Sequence, residues 1–214
     1  MSGGVFITLE GIEGAGKSTV AAWLCEWLRA RGLTVRLTRE PGGTELAERV
    51  RRIVLERGRE HVSGEAETLL MFAARAIHLD NLVRPALDAG EWVLSDRFTD
   101  ATRAYQGAGR GLDIEWIEAL AARVHADLTP NCTLLLDVPV ELGLKRARAR
   151  RGEDDRFEAE TQAFFERVRA GYLALAEREP QRIRLIDAAA PVAVVREQIT
   201  AALQPWLGAL EGHS

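Results

Sequence analysis

The sequence is poor in several chemically informative residue types, and each scarcity excludes a class of protein. Only two of 214 residues are cysteines, Cys25 and Cys132, too few for a disulfide framework or a thiolate metal site, so we expect a reducing compartment. Uncharged runs of about 18 residues are absent, and residues 1–4 lack the basic and apolar regions of a signal peptide. These absences predict a cytoplasmic protein that does not enter a membrane.

Positive charge and lysine are also scarce. The net charge is −4, which argues against nucleic acid or an anionic membrane as a partner. Of 28 basic residues only two are lysines, Lys17 and Lys145. With 47% hydrophobic and 28% charged residues, the composition is that of a folded globular protein, and we expect one domain over residues 1–214.

Short apolar segments alternate with helical patterns along the chain. This alternation predicts an α/β fold, a doubly wound five-stranded parallel sheet with helices on both faces. The predicted strands are 5–9, 33–38, 92–94, 132–136 and 183–186. In such sheets ligands bind at the carboxyl ends of the strands, so the loops that begin at Gly11, Arg39, Asp96 and Asp137 are expected to meet there.

Helix boundaries follow from capping residues and prolines. Thr44 and Asp113 are predicted to cap helices, and a long helix from Glu65 to about Leu82 is expected to end or kink at Pro85. A further helix is expected to begin at Glu158.

The segment after the first strand fits the phosphate-loop pattern G-x-x-x-x-G-K-[ST]. It has the strand before it and the helix after it that the motif requires. Lys17 is expected to contact the β- and γ-phosphates, and Ser18 to be a Mg²⁺ ligand. The predicted ATP-binding residues are Gly11, Ile12, Glu13, Gly14, Ala15, Gly16, Lys17, Ser18 and Thr19. A compact lysine at this position, in a chain that otherwise uses arginine, favours a phosphate site over a turn without a ligand.

Further motifs in the same order extend over nearly the whole chain. They are residues 10–19, 38–44, 71–75, 96–98 with 104–107, and 155–158. Together they resemble the bacterial thymidylate kinases, which implies a P-loop NTPase fold and transfer of the ATP γ-phosphate to dTMP. One departure is Ala101, at a position where the family usually has serine.

The resemblance also implies a binding site for dTMP. Its phosphate is assigned to Arg39 and Arg97, stacking on the thymine ring to Phe72, and the 4-carbonyl of the base to Arg75. The remaining implied contacts are Thr102 at the base, Glu13 and Tyr105 at the deoxyribose, and Gln106 close to the same pocket. Spacing alone favours other roles: Phe72 is on an apolar stripe typical of a core, and the arginines could be surface residues.

An arginine-rich segment of about residues 146–157 resembles the lid of the bacterial enzymes. In those enzymes the lid supplies the catalytic arginine when the third loop position, here Glu13, is not arginine. The candidates are Arg148, Arg150, Arg151 and Arg156, alongside Lys17 and Arg97. Without the resemblance, this run of charged residues would be interpreted as the solvent-exposed end of a helix.

Phosphoryl transfer to a phosphate that is already anionic needs no general base. Asp96 is therefore assigned to orienting Mg²⁺-bound water or Arg97, which makes Ser18 and Asp96 the candidate metal residues. The prediction is a dTMP kinase that uses Mg²⁺ with ATP, and the resemblance to the family implies a homodimer. The alternatives are a kinase for another nucleotide or small metabolite, and a non-catalytic nucleotide-binding switch.

Overall fold

A computed structural model describes residues 4–56, 62–149 and 160–211, with side chains through residue 208. Its centre is a sheet of five parallel strands in the order β2-β3-β1-β4-β5. The strands are β1 (Phe6–Glu10), β2 (Val35–Arg39), β3 (Trp92–Asp96), β4 (Cys132–Asp137) and β5 (Ile183–Asp187). The predicted α/β fold with a five-stranded parallel sheet is confirmed.

The central strand β1 shows why the sheet must be covered on both sides. All five of its residues are buried, and successive side chains of a strand point to opposite faces. Both faces of β1 are therefore packed, as its continuous apolar run requires.

Nine helices are described in those three ranges. They are α1 (Lys17–Arg29), α2 (Glu45–Leu55), α3 (Gly64–His78), α4 (Arg84–Asp88), α5 (Thr99–Thr102), α6 (Ile114–His125), α7 (Val140–Ala149), α8 (Gln162–Arg178) and α9 (Val192–Glu211). Both predicted caps are confirmed. The Thr44 hydroxyl accepts from the Ala47 N–H, and the Asp113 carboxylate from the Glu115 N–H.

Two helix boundaries differ from the prediction. Helix α3 runs through a π-helical turn, Leu79–Val83, straight into α4, and Pro85 lies in the first turn of α4. Pro85 lacks the N–H that a continuous helix would use, and a wider π-helical turn directly precedes it, but the helical path does not end there. The helix expected from Glu158 begins at Gln162, because Thr161 caps it through the N–H of Phe164, while residues 150–159 lie outside the described ranges.

Two elements after β3 were not predicted. The short helix α5 and the π-helical turn Arg103–Gly109 carry the chain from Asp96 towards α6, and α8 packs along that π-helical turn. Within the described ranges, no helix is long and apolar enough to cross a membrane. Both cysteines are buried, and burial raises the pKa of the Cys132 thiol to about 12.

Candidate active site

The loop between β1 and α1 has the geometry of a phosphate cradle. Gly14 has a φ of 73°, and a Cβ added to it would collide with the carbonyl oxygen of Gly143. Only glycine can hold this backbone so close to α7. The Lys17 ammonium donates to the carbonyl oxygens of Gly11 at 3.0 Å and Ile12 at 2.9 Å, so it lies within the curve of the loop.

Opposed charges surround Lys17. Burial, followed by the charge of Arg97, lowers the pKa of Lys17 to about 8, while Asp96 and Glu13 act in the opposite direction. The nearby carboxylates therefore offset only part of the cost of holding the Lys17 ammonium buried and charged. An added phosphate would compensate it further.

A cavity opens beside this loop at the carboxyl ends of β1, β2 and β3. It brings together nine of the residues predicted for the site: Glu13, Lys17, Arg39, Arg75, Asp96, Arg97, Thr102, Tyr105 and Gln106. Glu40, Met71 and Ala101 also line it. Of the four loops expected to meet at one edge, those beginning at Gly11, Arg39 and Asp96 meet at this cavity, whereas Asp137 is not among the described residues that line it.

Arg97 lies at the end of the cavity nearest the phosphate loop. Its backbone has a φ of 76°, a conformation that costs about 1–3 kcal/mol for a residue with a side chain. One guanidinium nitrogen, Nη2, donates to Glu13 at 2.9 Å and to the Tyr105 hydroxyl at 3.0 Å. Tyr105 in turn donates to the other oxygen of Glu13 at 2.6 Å. These three side chains therefore form one connected group on the cavity wall.

Behind Arg97 is a second, fully enclosed group. Its Nη1 donates to the Tyr172 hydroxyl at 3.2 Å, and Tyr172 donates to Glu10 at 2.6 Å. The other Glu10 oxygen accepts from the backbone N–H of Phe98 at 2.7 Å. Burial, with a smaller contribution from Asp100, raises the pKa of Glu10 to about 7.

Arg75 forms the opposite wall. Its Nε donates to Glu40 at 2.7 Å and its Nη2 to the Thr102 hydroxyl at 3.1 Å. Only 3% of Arg75 is exposed, yet its third nitrogen, Nη1, has no hydrogen-bond partner. Buried polar atoms are rarely left in this state, so Nη1 is suited to donating to an acceptor brought by a ligand.

Glu40 fixes the direction in which Arg75 points. Its second oxygen accepts from His78 Nδ1 at 3.0 Å, and His78 Nε2 lies 2.7 Å from the Thr38 hydroxyl. Burial opposes ionisation of Glu40, but the charge of Arg75 and the hydrogen bond from His78 outweigh it and lower the pKa of Glu40. Glu40 therefore holds Arg75 in place, and His78 in turn holds Glu40.

Arg39 is the most exposed of the cationic side chains at the cavity. Its side chain is 54% exposed and pairs with Glu48 of α2 at 3.0 Å. This geometry leaves Arg39 free to turn towards an anion in the cavity, because an exposed ion pair is worth only about 0–1 kcal/mol.

Comparison with known proteins identifies the family. The thymidylate kinase profile matches residues 9–199. The chain is 54% identical over 206 residues to the thymidylate kinase of Alcanivorax borkumensis, covering 95% of this chain and 99% of the relative. It is 58% identical over 199 residues to that of Pseudomonas putida, covering 93% and 96%.

The chain belongs to the thymidylate kinase family. A solved thymidylate kinase from Ehrlichia chaffeensis has the same fold, with a TM-score of 0.75 and 34% identity over 93% of this chain and 98% of that one.

Phe72, carried over from the thymidylate kinase resemblance, lies beside Arg75, whose guanidinium carbon is 4.7 Å from the centre of the Phe72 ring. Phe72, predicted to stack on the base, is 3% exposed and packs with Ile117 and Ala121 of α6. It is not among the described residues that line the cavity. The neighbouring Met71 is, and Met71 lies one helical turn before Arg75. Met71 is therefore an apolar residue at the cavity next to Arg75, and stacking of Phe72 on the base stays a prediction.

The other candidates of the family pattern have varied positions. Gln106 is buried and donates to Glu67 of α3 at 2.7 Å, which fixes its side chain at the cavity. Arg148 is exposed in the last turn of α7. The lid candidates Arg150, Arg151 and Arg156 lie outside the described residues.

A second cavity adjoins the other side of the phosphate loop. Gly14, Gly16 and Thr19 line it together with residues that the sequence analysis did not single out, Trp23, Arg146 and Arg196. The guanidinium of Arg196 lies over the Trp23 ring, 5.0 Å from its centroid. The signal for Trp23 was its position four residues after Thr19, on the same face of α1.

Proposed function

We propose that this member of the thymidylate kinase family transfers the γ-phosphate of ATP to dTMP, giving dTDP and ADP. The observation that carries the proposal is the cavity with two chemically different ends. Lys17 and Arg97 make one end cationic, and the other is lined by Arg75, whose buried Nη1 has no hydrogen-bond partner. A nucleotide with a phosphate at one end and a carbonyl on its base matches both ends.

ATP binds with its phosphates on residues 11–19. The backbone N–H groups of the loop, the amino end of α1 and Lys17 hold the phosphate oxygens. The second cavity takes the nucleoside part of ATP, because it adjoins the same loop and has an aromatic wall in Trp23.

dTMP occupies the first cavity. Arg39 and Arg97 bind its phosphate, and Glu13 and Tyr105 border the deoxyribose. Arg75 Nη1 donates to the 4-carbonyl of thymine. Thr102 lies beside the base, and its hydroxyl accepts a hydrogen bond from Arg75 Nη2. Met71 supplies the apolar surface next to the base, and Gln106 closes the pocket.

The reaction requires alignment and charge neutralisation, and no side chain needs to remove a proton. The phosphate of dTMP has a second pKa of about 6, so it is an anionic nucleophile at neutral pH. Arg97 lies close enough to Lys17 to lower the pKa of Lys17, and both residues line the cavity. They neutralise the migrating phosphoryl group together with a lid arginine, Arg148, Arg150, Arg151 or Arg156.

Ser18 and Asp96 fit a Mg²⁺ site. Both offer oxygen ligands; the Ser18 side chain is exposed, and Asp96 lines the cavity beside Lys17. Among the described residues no cluster of three or more acidic, histidine or cysteine side chains is found. Mg²⁺ needs no such cluster, because it binds one or two protein ligands together with substrate phosphates. When bound, it supplies charge neutralisation at the β- and γ-phosphates.

Incubation with ATP, Mg²⁺ and each nucleoside monophosphate in turn, with detection of ADP, tests the proposal. ADP formation that depends on dTMP supports it. ADP formation with a different monophosphate would indicate another nucleotide kinase, and ATP binding without turnover would indicate a nucleotide-binding switch.

A homodimer in the cytoplasm completes the proposal. Helices α2 and α3 pack against each other and expose large apolar side chains, Leu46 and Leu69 at 50% and Ile53 at 60%. Apolar exposure on two adjacent helices supports a second copy as partner. Sedimentation equilibrium of the wild type and of Ile53→Glu tests this, and a monomer at micromolar concentration in both would contradict it.

A further inference from the structure

Arg97 is held from behind by residues that do not belong to the cavity. Its Nη1 donates to the Tyr172 hydroxyl at 3.2 Å, and Tyr172 donates to Glu10 at 2.6 Å. Tyr172 is 2% exposed and Glu10 is fully buried. Neither is among the described residues that line the cavity. The contact therefore reaches the guanidinium from the protein interior.

The direction of these hydrogen bonds is determined by chemistry. A guanidinium can only donate, so the Tyr172 oxygen accepts from Arg97, and the single hydroxyl proton is left for another partner. The Tyr172 proton is used on Glu10, which leaves the oxygen lone pairs for the Arg97 guanidinium. The second Glu10 oxygen accepts from the N–H of Phe98 at 2.7 Å, so Glu10 is tied to the backbone next to Arg97 itself.

The contacts of Arg97 on the cavity side are different in kind. Glu13 and Tyr105 share its Nη2, and both line the cavity. A bound phosphate competes for the same guanidinium and rearranges these contacts. The contact with Tyr172 lies outside the cavity, so a phosphate in the cavity does not compete for it directly. Arg97 also has a φ of 76°, so its backbone conformation is held only by the surrounding contacts.

We propose that Tyr172 and Glu10 are positioning residues for Arg97, which hold its guanidinium in the orientation needed to stabilise the migrating phosphoryl group. This inference rests on the proposed role of Arg97 at the phosphate. It makes α8, which follows the lid segment, part of the catalytic apparatus through one hydroxyl group.

Two single variants test the two links separately. Tyr172→Phe keeps the buried ring and removes only the hydroxyl. Glu10→Gln keeps the shape, but its amide can no longer accept on both sides, so either Phe98 N–H or the Tyr172 hydroxyl loses its acceptor. We expect kcat to fall about 10- to 100-fold in each, with the KM for dTMP changed less than about threefold.

Glu118→Gln is the matched control. Glu118 is a carboxylate that accepts from Arg103 at 2.7 Å, and it does not line the cavity. It is expected to have wild-type kinetics. Circular dichroism and melting curves show that each variant is folded, and Glu10→Gln keeps the test informative if Tyr172→Phe does not fold.

A double-mutant cycle separates positioning from a general structural role. Tyr172→Phe is introduced into wild type and into Arg97→Ala, and rates are measured in single turnover with enzyme in excess. If Tyr172 acts through Arg97, the substitution changes the rate less than about twofold once Arg97 is gone.

An equal loss in both backgrounds, or wild-type kcat in both single variants, overturns the inference while dTMP kinase activity of the wild type stands. Absence of dTMP-dependent turnover in the wild type overturns the inference and the proposed function together.

Discussion

Discrimination between thymine and cytosine is expected to depend on Arg75. Its Nη1 is buried and has no partner, while Glu40 and Thr102 hold the other two nitrogens. Thymine has a carbonyl oxygen at ring position 4, which accepts a hydrogen bond from Nη1. Cytosine has an amino group at this position, so two donors would face each other.

The size of the effect follows from the groups left unpaired. A hydrogen bond from a charged group contributes about 1.5–3 kcal/mol, and each buried donor without an acceptor costs about 1–3 kcal/mol. With dCMP, the bond is lost and both Nη1 and the amino group are unpaired. The total is about 5 kcal/mol, or about 10⁴ in kcat/KM for dTMP over dCMP.

Arg75→Lys is the informative variant. Arg75→Ala would remove the cation that pairs with the buried Glu40, at a cost of about 3–5 kcal/mol in stability, whereas lysine keeps a cation opposite it. Lysine lacks the planar fork, so it cannot bind Glu40 and also present a third nitrogen to the base. We expect the dTMP to dCMP ratio of kcat/KM to fall at least about 100-fold.

The assay measures both substrates on the same enzyme preparation, so the ratio does not depend on the fraction of folded protein. Arg103→Lys is the control, because Arg103 pairs with Asp100 and Glu118 and does not line the cavity. A ratio unchanged in Arg75→Lys would refute the assignment of base recognition to Arg75.

Three further outcomes are expected. Lys17→Ala removes the cation within the phosphate loop and should lower kcat at least about 10³-fold with an unchanged circular dichroism spectrum; near-normal turnover would contradict the phosphate-loop assignment. Alanine is substituted in turn at Arg148, Arg150, Arg151 and Arg156, and each variant is assayed by steady-state kinetics. At one or two positions kcat should fall about 10²-fold with little change in the dTMP KM. Wild-type kcat in all four variants would show that these arginines are solvent-exposed charges without a catalytic role. Burial raises the pKa of Glu10 from 4.5 to about 7, so the folded state holds this proton more tightly and Glu10 lowers stability as pH rises from 4.5 to 7. Relative to wild type, Glu10→Gln should therefore gain about 3 kcal/mol in the free energy of unfolding between pH 4 and pH 8, measured by urea titration, and an equal difference at both pH values would contradict this.

Much of the fold and the phosphate end of the site could be predicted because their signals are local. The loop of residues 11–18 needs glycines at fixed spacing between a strand and a helix, and all of these lie within one short segment. The strand cores and the caps at Thr44 and Asp113 also depend on neighbouring residues alone.

The base end of the site could be predicted only in part. Spacing places both Met71 and Phe72 near Arg75 on α3, at four and three residues. The packing of α6 adds what spacing does not show: Ile117 and Ala121 contact Phe72, while Met71 lines the cavity. That contact joins segments about 45 residues apart and has no local signal.

The residues that hold the arginines were missed for a related reason. Glu40 and His78 are 38 residues apart, and Glu10 and Tyr172 are 162 apart. A glutamate next to a turn or at a strand end usually lies at the surface. Only the folded chain shows that each of these carboxylates is buried opposite an arginine of the cavity.

The burial of both thiols makes the protein well suited to site-specific labelling. Cys25 and Cys132 are enclosed, and the raised pKa of Cys132, about 12, keeps it protonated at neutral pH, where thiol reagents attack the thiolate. A cysteine introduced at an exposed position such as Ala22 on α1 would therefore react with a maleimide dye while the native pair stays unmodified. Fluorescent enzyme could be prepared without first removing a cysteine from the core.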